Sequence, residues 1–329
     1  MEALPPPPGV FGALKAGFDL TSNRMMLILL PLALDLFLWL APRLSGANLF
    51  GALLRDWMEF SGNAGYPVQN APALTERVET LGLVNVLTWL RTFPVGIPSL
   101  LSGIMPGSLP LQTPLGAQGV IQIPSVLQMS GWIILLTALG WVGGGLYFRA
   151  VSNIVLGGQE AISPMRAIIQ TSILSLVWWI GMMLVLFPTL SVLSLLALIN
   201  PILANGAAFV AVLLSFWLIV PLFFMPHGIF VRKQNAFHSM FSSLNMSRFT
   251  LPTSSLFVFS VIILSTGLNY LWSVPSNDSW MMLVGIAGHA FITTALLAAS
   301  FIYYRDMTDW LKNVYERFQQ FRGRPSSTV

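Results

Sequence analysis

Asp35 is an acid inside an otherwise apolar run at 25–42, and His289 sits inside another at 280–304. Within hydrocarbon an ionisable side chain is expensive, and it marks a proton relay or a ligand site. At 1.5 Å per residue, Asp35 lies about 15 Å and His289 about 22 Å from the inner ends of their helices. The depths differ by about one helical turn, so adjacent helices would bring the two within reach as a proton-linked or substrate-coordinating pair. Pro31, four residues before Asp35, frees a backbone carbonyl nearby. The plainer reading has Asp35 protonated, or bonded as packing glue to a Ser, Thr or Asn of a neighbouring helix.

Other chemistry finds less support. Ser265 and Thr266 with His289 as base would make an intramembrane hydrolase, but no elbow motif surrounds them. There is no phosphate loop, no paired carboxylate set and no His cluster with metal spacing, so no metal or cofactor is expected. With no cysteine, disulfides and thiolate chemistry are excluded. Gly140 and Gly144 form a small-xxx-small face suited to close helix packing.

The elements that must position these groups are written in missing charges. Four runs (92–148, 167–231, 249–277 and 279–304) contain no charged residue and hold 177 of the 329 residues. Hydrocarbon about 30 Å thick requires roughly 20 apolar residues per helix, whereas no soluble core requires such runs. Charged residues are 9% of the chain against about 25% in soluble domains. The chain reads as an all-α integral membrane protein with six transmembrane helices at about 25–42, 129–147, 171–195, 206–225, 254–272 and 280–304. The first run is read as an uncleaved span, the alternative being a signal cut after Ser45, Gly46 and Ala47.

Cations set the orientation. With the N-terminus cytoplasmic, twelve cations fall inside and four outside, the four being Arg43, Arg55, Arg77 and Arg91 of one long loop. Both termini are therefore expected in the cytoplasm, in the cell membrane. Trp39, Trp132, Trp272 and Trp280 fall at the outer span ends, where indoles favour the interface. Amphipathic stretches precede each outward span: Phe11, Leu14 and Phe18; Ile162, Met165 and Ile169; then Phe237, Met240, Phe241 and Leu244. They predict interfacial helices in a three-fold repeated layout of helix plus hairpin, with Lys15, Arg24, Arg166, Arg232, Lys233 and Arg248 at the lipid headgroups.

The boundaries follow: an N-terminal interfacial segment 1–24, span one at 25–42, an outer insertion 43–128, the other spans within 129–304, and a cytoplasmic tail 305–329. In the insertion, Leu49, Phe50, Leu53, Leu54 and Trp57 predict one amphipathic helix, and 74–91 a second. Segment 93–128 holds six prolines, five glycines and no charge. Three readings compete for it: a packed outer cap, which is favoured, a re-entrant element, and a docking surface. In the tail, Met307, Trp310, Leu311, Val314 and Phe318 form the stripe of a helix expected to continue from span six and turn along the membrane surface.

The run Gly12-Ala13-Leu14-Lys15-Ala16-Gly17-Phe18, leading into Asn23-Arg24 and Leu29-Leu30-Pro31, resembles a loose group of bacterial six-span proteins similar to the membrane domain of glycerophosphodiester phosphodiesterases. The resemblance covers the spans but not the outer loop. It implies a membrane fold and no catalytic residue, since the hydrolase of those proteins is a separate soluble domain. The expected function is non-enzymatic: a scaffold, lipid-interacting element or accessory subunit. A transporter or permease using Asp35 and His289 is the runner-up. The lipid bilayer is the expected partner, with a protein partner through the outer loop or the tail and no nucleic acid.

Overall fold

The computed structural model describes residues 6–65, 71–103, 107, 109, 111–158 and 161–322. Parts of the Pro/Gly-rich segment and the end of the tail, with Arg324, lie outside the described residues, as do the side chains of Phe318 and Arg322. The helices are α1 (Val10–Asn23), α2 (Leu29–Leu40, preceded by a 3-10 turn Met25–Ile28), α3 (Ala47–Asn63), α4 (Ala71–Gly82), α5 (Val126–Val155), α6 (Pro164–Ile199), α7 (Pro201–Phe224), α8 (His227–Val231), α9 (Ala236–Trp272) and α10 (Met282–Arg322). Four short strands accompany them: β1 (Arg43–Ser45), β2 (Gln112–Thr113), β3 (Gly116–Ala117) and β4 (Val120–Gln122).

Among the described residues, five helices are long and apolar enough to cross a membrane. A sixth crossing arises if Val10–Asn23 and Met25–Leu40, bent by 93° at Arg24, count as one. The protein is thus membrane-embedded and multi-pass. The hairpin α6–α7 makes the point physically: from Leu176 to the end of α6 no described residue is buried. Leu184, Phe187 and Leu198 are 71%, 72% and 84% exposed. Such a surface is stable in lipid and unstable in water.

Contacts divide the chain into two compact units. One comprises Ile28–Gly144 and Gly267–Ile292. In it, β1 pairs in parallel with β4, Arg43 opposite Val120 and Ser45 opposite Gln122, which ties the end of α2 to the start of α5. The Gln118 amide donates to the carbonyls of Leu38, Trp39 and Ala41, filling acceptors that a helix end leaves open. Leu44, Val86, Ile123, Met129 and Leu136 form one apolar cluster beneath this sheet. Trp39, Leu100, Met282 and Ile286 form another. Trp39 is fully buried, its indole N–H donating to the Asn277 carbonyl at 2.8 Å. The ring, at the end of α2, serves the core. The second insertion helix also ends earlier than 91, at Gly82. A Cβ on Gly82 would come within 2.8 Å of the Ala47 methyl, and Asn85 then caps a 3-10 turn, Val86–Leu90.

The other unit comprises Met1–Leu27, Gly145–Thr266 and Thr293–Val329. Its centre is aromatic: Phe257 stacks on Tyr303 at 4.2 Å, and Phe224 stacks on both. The face of α1 that packs is Val10, Ala13, Leu14, Gly17 and Thr21, while Phe11 is exposed. A Cβ on Gly17 would meet the Ala295 carbonyl at 2.5 Å, so only glycine permits this approach to α10. The amphipathic stretch ahead of α6 forms no separate helix, because α6 runs unbroken from Pro164, capped by Ser163. The third such stretch is continuous with its span in α9, broken only at Thr250, where φ and ψ leave helical values two residues before Pro252. Likewise α10 continues through Arg305 as one helix. The tail stripe therefore does not follow a surface turn; Met307 is buried, and Trp310, Leu311 and Val314 are half-buried.

Candidate functional site

Asp35 sits on the buried face of α2 and is 0% exposed. Its partners come from far along the chain. The Ser99 hydroxyl donates to Oδ1 at 2.5 Å. The backbone N–H of Leu100 donates to Oδ2 at 3.0 Å, and that of Leu101 to Oδ1 at 3.2 Å. A carboxylate has acceptor sites for all three. Leu100 and Leu101 open a 3-10 turn, Leu101–Gly103, so the side chain takes up N–H groups that have no partner within the turn. Ser99 Oγ accepts from the N–H of Ser102, whose hydroxyl accepts from Arg91 Nη1 at 3.0 Å. Asp35, Ser99, Ser102 and Arg91 thus form one polar network.

The segment bearing Ser99 is held against α5 as well. A Cβ on Gly140 would lie 2.5 Å from the Thr92 methyl and 2.6 Å from the Leu90 carbonyl. One on Gly144 would lie 2.7 Å from Gly96 Cα, and one on Gly143 3.0 Å from Ile97. The glycine face expected to pack against a helix receives loop backbone instead. A loop approaches a bare helix surface as closely as a helix does.

His289 is 2% exposed, and its Nδ1–H donates to Asn269 Oδ1 at 2.7 Å. Asp35 thus takes three donors from the loop, and His289 bonds Asn269 of α9. A cavity of ≈ 30 Å³ lies between Trp39, Arg43, Asn85, Thr88 and Asn277, room for about one water and for no larger solute.

Of the expected headgroup cations, Lys15 and Arg24 are exposed on and just after α1. Arg166 is exposed but donates to the Lys233 carbonyl. Arg232 is held by Asp309 and Thr308, both at 2.6 Å. The guanidinium of Arg248 lies 5.9 Å from the Phe249 ring centroid. Lys233 adopts a positive φ of 53° at the turn between α8 and α9.

Sequence reasoning missed Ser99, Ser102 and Arg91 as companions of Asp35, and Asn269 as that of His289. It also passed over His227, whose Nε2 lies 2.7 Å from Ser300 Oγ. Phe301 and Phe223 pack on that imidazole at 4.6 and 5.8 Å. The pair has the spacing of a nucleophile and base, but His227 and Ser300 are 2% and 1% exposed, and no substrate carbonyl reaches them in this conformation. Among the described residues no three His, Cys, Asp or Glu side chains gather as a metal site. No family model matches the chain, and neither a curated protein nor a solved structure matches it.

Proposed function

We propose that the chain is a non-enzymatic, lipid-interacting scaffold or accessory subunit of the cell membrane, with six spans and both termini in the cytoplasm. In this reading the Pro/Gly-rich segment from Thr92 re-enters the membrane. The observation that carries the reading is Asp35. The acid of the first span is engaged by three donors of the chain itself, and its service is to anchor a loop, not to meet a solute. Loop backbone lying on Gly140 and Gly144 supports re-entry, because charge-free backbone at that depth is tolerated only against protein.

The test is extraction of the full chain in lipid-preserving polymer discs followed by native mass spectrometry. A co-purifying subunit or retained lipid is expected. A monodisperse monomer carrying neither defeats the proposal.

A transporter is the second reading, favoured by two buried ionisable residues, Asp35 and His289, within one compact unit. Proton-coupled flux into proteoliposomes, present in the native chain and lost in Asp35→Asn, would replace the scaffold reading with this one.

A further inference from the structure

Between the first half of α9 and the last part of α10 lies a groove of ≈ 780 Å³, well within the roughly 300–1,000 Å³ of small-molecule sites. Its apolar lining includes Phe241, Met246, Phe249, Leu311 and Val314. Its polar lining is Gln234, His238, Ser242, Asn245, Thr308 and Lys312. No described lining residue is an acid.

Its height relative to the bilayer follows from helix length. From Met282 to Tyr304, α10 rises about 33 Å, which fills the hydrocarbon. Thr308 and Leu311 lie about 6 to 11 Å further along, at the depth of the lipid headgroups. Trp310 and Tyr315, both on the groove wall, are residue types that favour this layer. On the other wall, Phe241 and Phe249 are 66% and 71% exposed just before the kink from which α9 continues as a span.

Charge selects the occupant. Lys312 lines the groove, its ammonium 3.9 Å from Glu316, an exposed pair that holds it weakly. Arg232 bonds to the lining residue Thr308 while it neutralises Asp309. Arg248 lies over the lining residue Phe249. An apolar lining at headgroup depth, without an acid among its described residues, and these cations describe an amphiphile with a negative head.

We propose that this groove binds one anionic glycerophospholipid of the bilayer, its phosphate at Lys312 and an acyl chain against Phe241, Phe249 and Leu311. The assignment rests on the lipid-interacting reading above and gives it a site.

The test uses the full chain in nanodiscs with phosphatidylglycerol carrying a photoreactive acyl chain, and the matching phosphatidylcholine for comparison. Crosslinks mapped by peptide mass spectrometry are expected on α9 at 241–249 and on α10 at 310–315, with phosphatidylglycerol exceeding phosphatidylcholine. Since each basic residue near an anionic surface contributes about five-fold in binding, Lys312→Glu should lower the phosphatidylglycerol yield by at least about that factor. Arg55→Glu, at an exposed position of α3, should leave it unchanged. If Lys312→Glu loses monodispersity, Lys312→Gln carries the same test, with phosphatidylcholine labelling unaltered. Equal labelling by both lipids, or labelling elsewhere while phosphatidylglycerol still co-purifies, overturns the groove and leaves the lipid-interacting reading standing. Absence of any retained lipid overturns the lipid-interacting reading and the groove with it. A polypeptide, from another protein or a second copy, that blocks labelling at these residues overturns the lipid assignment.

Discussion

Asp35 and the glycines show what a single residue decides in this fold. Asp35→Ala would strand the N–H groups of Leu100 and Leu101 and the Ser99 hydroxyl. Each buried donor left unsatisfied costs about 1–3 kcal/mol. Asp35→Asn keeps one carbonyl acceptor and should lose less. The expected outcome in detergent is a melting temperature ordered native, Asp35→Asn, Asp35→Ala; equal melting of all three would show that the anchor carries no weight. The two glycines of α1 provide a second, sign-based check. A Cβ on Gly12 meets nothing within 4 Å, whereas one on Gly17 strikes the Ala295 carbonyl and the Ala299 methyl. Gly12→Ala should therefore stabilise by about 0.5–1 kcal/mol through helix propensity. Gly17→Ala should destabilise by about 1–3 kcal/mol through overpacking. Thermal melts giving the same sign at both positions would refute the packing of α1 on α10.

At the scale of elements, apolar runs located the helices because a span is a local property of composition. What escaped was non-local. Strands β1 and β4 have three residues each, too few for an alternating pattern, and their pairing joins Arg43 to Val120. Ser99 reaches Asp35 across 64 residues, a distance over which no periodicity carries information. The sharp bend at Arg24 was similarly silent, since an amphipathic stretch followed by a span reads alike whether straight or bent. Depth of the loop from Thr92 is open to direct measurement, because the native chain has no cysteine. Leu101→Cys, half-buried in that loop, should resist a membrane-impermeant maleimide, and Gly62→Cys, at an exposed position of α3, should react. Comparable labelling of both in intact membranes would return the segment to an outer cap.

For the whole molecule, orientation is the property on which the proposed function depends, because the groove faces anionic lipid only if the ends of α9 and α10 that form it are cytoplasmic. Loops that stay inside keep Lys and Arg, and here the connections between α5 and α6 and between α7 and α9 carry Arg166, Arg232 and Lys233 at their edges, while the turn from α6 to α7 at Asn200 carries no cation. Arg43, Arg55, Arg77 and Arg91 do not weigh against this, since a loop of such length is translocated with little regard to its charge. The bias predicts opposite behaviour for two reporters. Alkaline phosphatase inserted after Asn200 should be active and green fluorescent protein there dark. After Arg317 the same two reporters should give the reverse. Phosphatase activity at both sites would mean an even number of crossings between them, placing the groove and Lys312 on the face away from the expected inner leaflet.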